Sequence, residues 1–411
     1  MKQLWWQVAG LFIWSAAFNL TVPILPLIAT DLGAVPFQVG LLQGTALVFT
    51  TLTLIVAGQA ADRYGQRLTL VALWVVGATG ALLLLAARSW PGLVPGAALL
   101  YAGSAGVPAL GALVTGTRPV SEHRRALGLL FMAAPAGMLV GSSAAGYIAE
   151  RWGSPALHIA TGVLTLLAAA ALLPVRAGAP SRGHGGTAGG GSTSPGSSPS
   201  PDRTPAPPRP IFLAAGLAAA AVFLLLALPS GFMTPYLRDV MHLSLPATGI
   251  TNGQLAVGQI AWSALLAVWP PESGQVVLRL GAMGTLRLSR GTLIAMAVCL
   301  GANALFGVLF PLGATTATVI GAILLRGAFF GLQPLGMALV SDLTGTGAGL
   351  TGRFSLLAIL MGLASACAPV LAGALYGFRP AAPFWVAGAT GLLGAMLLAG
   401  VVALNRARVS P

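Results

Sequence analysis

Very few side chains in this chain could do chemistry. Of 411 residues only 8 are acidic and 21 basic, and almost all of these fall in short gaps between long apolar runs. The exception is Arg326, a few residues from the middle of such a run. A charge placed there costs at least ~2.5 kcal/mol on insertion scales unless it faces a wet cavity or finds a partner. Arg326, Phe330, Gln333, Met337 and Ser341 recur at helical spacing and mark one face. A guanidinium with amides and hydroxyls around it, and no acid, suits an anionic or neutral polar solute. The same arginine could instead brace neighbouring helices through backbone carbonyls, and the residue types leave both readings open. No acid sits in the middle of a run. A proton-coupled carrier of cations needs such a carboxylate, alternating between proton and cargo; Asp31 and His158 are the nearest substitutes. An enzyme is disfavoured on similar grounds, with no His-rich run, no paired intramembrane carboxylates and no Cys/His metal spacing. The two cysteines, Cys299 and Cys367, each stand in apolar sequence.

The elements that must position these residues are membrane helices. The chain is 56% hydrophobic and 7% charged, against roughly 25% charged in a soluble domain, so an all-α integral membrane protein is expected. The formal charge of +13 is spread over short loops, which is how a membrane protein sets its orientation, and predicts no nucleic-acid partner. Apolar runs of roughly 20 residues read as spans. Twelve are expected, at 8–29, 39–60, 68–87, 93–115, 127–149, 156–175, 211–237, 250–269, 292–312, 316–340, 350–376 and 383–404. The first is read as a span rather than a cleaved leader. The alternate breaks and both termini hold most of the arginines, while the opposite breaks hold only Arg88, Arg151, Arg238 and Arg379. That asymmetry predicts cytoplasmic termini. It puts Asp31, Glu150 and Asp239 at outer helix ends, and Asp62, Glu122, Asp202, Glu272 and Asp342 on the inner side. Residues 176–210 are rich in Gly, Ser and Pro and cannot bury enough apolar surface to fold. They read as a flexible cytoplasmic linker between a bundle at 1–175 and another at 211–411.

The two flanks of that linker look like parallel repeats. Pro26 to Gly40 aligns with Pro235 to Gly249 at an offset of 209, and Leu99 to Gly111 aligns with Leu324 to Gly336 at an offset of 225. The difference locates a 16-residue insertion around 270–281. Gly284 to Gly291 keeps the glycine spacing of Gly58 to Gly65 and reads as a decayed copy of it, without its Asp-Arg pair. Such internal duplication is common among secondary transporters.

Between the second and third runs stands Gly58-Gln-Ala-Ala-Asp62-Arg63-Tyr64-Gly65-Gln66-Arg67, a charged stretch too short to cross a bilayer and read as a tight turn in water. The pattern Gly-x-x-x-Asp-Arg-x-Gly-x-Arg, carried by Gly58, Asp62, Arg63, Gly65 and Arg67, resembles the signature loop of the major facilitator superfamily. That resemblance implies twelve helices in two six-helix halves, with alternating access to a central site. It implies a cavity lined partly by spans one, four, seven and ten. These offer Ser15 and Asn19, then Tyr101, Ser104, Pro108 and Thr115, then Ser230 and Thr234, then Arg326, Phe330 and Gln333. The loop around Ser121 to Arg125 is similar to the family's acidic-basic loop at this place, which makes Glu122 a partner for Arg63 or Arg67 in one conformation. Asp62 could sit at the start of span eleven, near 344–352. In span five, Gly137, Gly141 and Gly146 suit close helix packing. Ser142 stands near where proton-antiport exporters carry a proline, which puts antiport membership in doubt.

The resemblance implies a small-molecule substrate, surrounding lipid and room for a coupling proton or other ion; no cofactor and no metal are expected, and the unit is expected to be a monomer in a bacterial inner membrane. An exporter of a drug-like or metabolite compound is the leading reading. Beside it stand an importer of a sugar, organic anion or similar nutrient on the same fold and, from another class, a membrane sensor or enzyme. Asp62→Asn is expected to cut transport while leaving expression and thermal stability close to wild type; loss of expression alone would assign Asp62 a structural role.

Overall fold

In hydrocarbon, a backbone satisfies its own N–H and C=O groups only as a helix or a closed barrel. The apolar runs accordingly form helices in the computed structural model, which describes residues 2–116, 120–175, 209–269, 274–279, 285–332, 334–336 and 350–409. In chain order these are α1 Lys2–Thr21, α2 Leu25–Asp31, α3 Pro36–Tyr64, α4 Gln66–Leu83, α5 Leu93–Ala102, α6 Val107–Gly116 and α7 Val120–Ala171. After the 176–208 stretch come α8 Arg209–Ala227, the single turn α9 Met233–Pro235, α10 Leu245–Ala267, α11 Arg290–Leu312, α12 Thr316–Arg326, α13 Leu350–Phe378 and α14 Ala382–Val409. Ten helical stretches, from Gln3–Asp31 to Ala382–Asn405, are long and apolar enough to cross a membrane. One of them, Ala126–Ala171, is 46 residues long and is broken by Gly153, whose φ of 78° and ψ of 175° are not helical. The 23-residue α10 is not among the ten, because Asn252, Gln254 and Gln259 make it more polar.

The helices fall into two kinds. α3, α4, α10, α11, α13 and α14 run without interruption, whereas the runs expected as spans one, four, seven and ten are each broken midway. Pro23 separates α1 from α2, since its ring blocks the helical approach of the preceding turn. A 3₁₀ turn at Gly103–Gly106 separates α5 from α6. Another, Leu228–Gly231 around Pro229, follows α8, and a π turn at Tyr236–Val240 follows α9. α12 stops at Arg326, Gly327 donates to the Leu324 carbonyl at 3.2 Å, and helix resumes at Ala328. Irregular backbone at membrane depth is tolerated where it lines a cavity or is buried in protein. Here the freed carbonyls find side-chain donors: Tyr101 O accepts from Thr50 and Ser104 at 3.0 and 2.6 Å, Leu324 O accepts from the Trp262 indole at 3.1 Å, and Gly231 O accepts from Gln43 at 3.2 Å.

The internal duplication is visible in the backbone. Gly33 and His242, 209 positions apart, both take positive φ, 84° and 55°, just before the helices that begin with Pro36 and Leu245. A histidine tolerates that conformation better than most residues but at a cost of roughly 1–2 kcal/mol. Seven residues further on, Gly40 and Gly249 are also equivalent, and each packs against the other half of the chain. A Cβ on Gly40 would run into the Pro369 carbonyl on α13, and one on Gly249 would lie 2.6 Å from the Ser142 carbonyl on α7. Two pseudo-equivalent seams, α3 on α13 and α10 on α7, therefore join the halves at one end of the bundle.

Two expectations are corrected. The chain is not purely helical: Gln275–Arg279 (β1) and Thr285–Ser289 (β2) pair antiparallel, with Gln275 opposite Ser289 and Arg279 opposite Thr285. The alternation Thr-Leu-Arg-Leu-Ser in 285–289 is a strand period. Val276 and Leu288 are buried against Leu293 and Val402, so the hairpin seats on α11 and α14. Residues 285–289 are therefore a strand where 58–64 are the last turns of a helix, and the shared glycine spacing is not a shared structure. The signature stretch is also less of a loop than its charges suggest. α3 continues through Tyr64 and Gly65, at φ 88°, makes the turn into α4 almost alone. Glycine is required there because a side chain at that φ is strained.

Gly249→Val should drive its side chain into the Ser142 carbonyl and lower stability by about 1–3 kcal/mol, read as a lower Tm in detergent. Gly400→Ala, where nothing lies within 4 Å, should leave Tm unchanged or slightly raised.

Candidate functional site

Between the two halves lies a cavity of about 140 Å³. All four broken runs contribute to it beside the break itself. Asn19 is on the last turn of α1, Tyr101 on the last turn of α5, Ser230 within the 228–231 turn, and Arg326 on the last residue of α12. Thr234 and Phe330 are also in its wall, so six of the residues expected at a site come together there. Ser15 and Ser104 are not in the wall: the Ser15 hydroxyl donates to Ala134 O at 2.6 Å, tying α1 to α7, and the Ser104 hydroxyl donates to Tyr101 O. Gln333 lies outside the described residues, as does the side chain of Glu122.

Arg326 dominates the cavity. It is 1% exposed, yet its partners are neutral. Nη1 donates to the Asn303 side-chain oxygen at 2.8 Å and Nη2 to the Ser230 hydroxyl at 2.9 Å. Its guanidinium carbon stands 4.2 Å from the centroid of the Phe329 ring and 5.3 Å from that of Phe306. Each hydrogen bond to a charged group contributes about 1.5–3 kcal/mol and each aromatic face about 0.5–2, which offsets part of the cost of burying a cation without a carboxylate. The C-terminal end of α12 adds its negative dipole. Asn303 is itself fixed, because its amide donates to Cys299 O at 2.8 Å and so turns its oxygen to Arg326. The two readings of Arg326 left open by the sequence thus coincide in one side chain, which braces α12 against α11 and the 228–231 turn and also faces the cavity.

The remaining polar wall was less visible in the sequence. Gln43 reaches across the halves to Gly231 O, and Asn252 donates to the Thr234 hydroxyl at 2.6 Å. Ser142 is fully buried, lines the cavity, and its hydroxyl has no hydrogen-bond partner among the described residues. Asn252, Asn303 and Gln43 each stand inside an apolar run, which is the signal that could have found them. A second cavity, larger at about 360 Å³, lies beside Asp31, Arg238 and His158. It includes neither Arg326 nor the 103–106 and 228–231 turns, and we place the site in the smaller one. Asp31 bonds Arg238 across the halves at 3.3 Å, with the two side chains 60% and 37% exposed. Such a pair contributes at most about 1 kcal/mol. His158 is buried against Thr21 at 3.4 Å, and Thr21 meets Thr161 at 2.8 Å, a polar contact between α1 and α7.

A family model of the Major Facilitator Superfamily matches residues 8–302. The chain belongs to the major facilitator superfamily. Among curated relatives, the multidrug resistance protein MdtG of Escherichia coli (strain K12 / DH10B) is 32% identical over 164 residues, 38% of this chain and 40% of that protein. MdtG of Escherichia fergusonii is 30% identical over 174 residues, 41% and 42% of the two chains. The matched region thus spans less than half the length of these relatives. Solved structures share the fold over almost the whole chain. The nucleoside transporter NupG is 11% identical with a TM-score of 0.68, covering 99% of this chain and 100% of that one. A peptide transporter POT in complex with sulfate is 13% identical with a TM-score of 0.71, covering 98% and 95%. The human organic anion transporter MFSD10 is 16% identical with a TM-score of 0.60, covering 96% and 98%. The protein is a multi-pass integral membrane protein.

Family membership puts the signature stretch in context. Asp62, Arg63 and Tyr64 are exposed on the last turn of α3, and Arg63 lies over the Tyr64 ring at 5.3 Å. Gly58 has open space around it. Arg67 is turned inward, donating to Val175 O at 2.8 Å, where it caps the end of the first half just before the linker. The start of span eleven, where Asp62 was expected to dock, lies outside the described residues.

Asn303→Leu should leave the Arg326 guanidinium short of a buried partner and cost about 1.5–3 kcal/mol, seen as a lower Tm. The double variant Asn303→Leu/Arg326→Met, which removes charge and partner together, should recover much of that loss.

Proposed function

We propose that this chain is a secondary transporter that exports a small anionic or neutral polar compound by alternating access, with the substrate held in the cavity around Arg326. The observation that carries the reading is that Arg326, the charged group of the described cavity wall, is held by neutral partners among the described residues. Its charge is stabilised but not cancelled, and an incoming anion or strong hydrogen-bond acceptor can still gain from it. Ser142, Asn252 and Gln43 supply further polar contacts. Export is supported by the likeness to the multidrug resistance protein MdtG. Among the described residues the wall has no carboxylate to receive a cationic cargo.

In this reading the chain has twelve spans, the break at Gly153 dividing one long helical run and α10 adding another to the ten apolar stretches. Two six-helix bundles at 1–175 and 211–411 are joined by the 176–210 linker. Both termini lie in the cytoplasm of a bacterial inner membrane, as the arginine distribution supports. The α3/α13 and α7/α10 seams, together with the Asp31–Arg238 pair, then close the outer side.

A ligand that binds only the folded state raises stability by about 2.7 kcal/mol at a hundredfold excess over Kd. Anionic or neutral polar solutes should therefore raise the Tm of the purified protein and fail to raise that of Arg326→Ala. Stabilisation of both proteins by lipophilic cations alone would overturn the assignment.

A further inference from the structure

We infer that this protein works as an anion exchanger, carrying one small oxyanion out against another in, and that it returns empty only slowly. The inference rests on the reading of the cavity above and adds to it the mode of transport.

The argument is one of charge conservation inside a closed cavity. Alternating access requires a state in which the cavity is shut to both sides. A wall whose ionisable groups are Arg326 and a neutral tyrosine carries one positive charge into that state. If a monoanion is bound, the cavity crosses neutral. If it is empty, the guanidinium crosses with dipoles and aromatic faces alone, and a buried charge without a counter-charge is disfavoured. The loaded carrier therefore reorients faster than the empty one, and exchange outruns net movement.

No acid is among the described residues of the wall. The acids nearest the wall in sequence are Asp31, five residues beyond Pro26 and bonded to Arg238, and Asp239, five residues beyond Thr234. Asp342 and Glu122 are each sixteen residues away in sequence from the wall residues Arg326 and Met138 of their own runs. For the same reason nothing in the described wall can trade a proton for the substrate. His158, buried and titratable, belongs to the other cavity and meets Thr21. The volume of about 140 Å³ and the hydroxyl and amide groups of Ser142, Asn252 and Gln43 fit a small carboxylate or phosphate-type oxyanion.

The test uses the full chain reconstituted in liposomes, with benzenesulfonate, which stays charged at every working pH, and inorganic phosphate as anionic probes and tetraphenylphosphonium as the cationic one. Thermal stabilisation first shows which probe binds. Vesicles loaded with that radiolabelled anion are then diluted into buffer with or without the same unlabelled anion outside. Efflux should be at least tenfold faster with the anion outside, and indifferent to a potential set by potassium and valinomycin. An imposed pH gradient should drive no accumulation. Arg326→Gln, checked for folding by its Tm, should bring the two efflux rates together, whereas Ser230→Ala, which keeps the charge, should weaken binding and preserve their ratio. Equal rates for wild type, or uphill uptake driven by pH and lost in His158→Asn, would overturn the exchange mode while leaving the anion site standing. Binding of tetraphenylphosphonium alone, or of none of the three probes, would overturn the anion site and the exchange mode with it.

Discussion

A lipid bilayer offers no water to a backbone that leaves the helix or to a side chain that keeps its charge, and this cavity contains both. The two demands are met by the same residues. Where α5, α12 and the 228–231 turn release carbonyls, Thr50, Ser104, Trp262 and Gln43 donate to them. Where Arg326 brings a charge, Ser230 from one break and Asn303 from an unbroken neighbour accept from it. The breaks open space between the helices, and the polar groups that make the breaks tolerable become the wall of that space. A binding site in this fold is thus not added to the scaffold. It is what the scaffold needs in order to be irregular at membrane depth.

Duplication supplies the second constraint. Gly33 and His242 hold equivalent turns in the two copies, and Gly40 and Gly249 hold equivalent places in the two seams at one end of the bundle. The first copy has glycine where the backbone turns left-handed, and the second has histidine, which keeps the turn at a cost. Arginine handling has diverged further. Tyr101 and Arg326 are repeat equivalents one position from the alignment of their breaks, both face the cavity, and only one carries charge. A symmetric fold has acquired a one-sided site, with the guanidinium on the second half and the neutral wall on the first.

Much of this could be read from the sequence. Span-length apolar runs, the arginine asymmetry and the signature pattern were enough for the fold family, because in a membrane hydropathy and backbone satisfaction leave few alternatives. Arg326 was legible because a charge in an apolar run is costly and needs a reason. Asn19, Tyr101, Ser230 and Thr234 followed from family geometry, and the structure puts them together. Ser15 and Ser104 did not, since a hydroxyl in a helix has a nearby carbonyl to bond as an alternative to any cavity, and composition does not say which it takes. Asn303 and Gln43 were missed because the implied lining spans drew attention away from helices that reach the site only through one long amide side chain. The hairpin was missed because its ten paired residues are few beside twelve long runs, although 285–289 alternates as a strand does.

The seams also say something about how the fold can move. Alternating access needs two states within a few kcal/mol of each other, so the contacts that close one side must be dense enough to exclude water and weak enough to part. Glycine-to-backbone contacts such as Gly249 on Ser142 meet that requirement. They bring helices close through dispersion, each atom pair contributing only ~0.1–0.2 kcal/mol, and leave no unpaired polar group behind when they open. The Asp31–Arg238 pair is of the same kind, since both partners are partly exposed and regain water on separating. Gln43 on Gly231 O is different. It is a buried bond between the halves beside Ser230, and opening the seam there leaves a carbonyl and an amide in want of partners. This side-chain hydrogen bond joins the two halves at the cavity wall, so parting the seam here costs more than parting the glycine contacts.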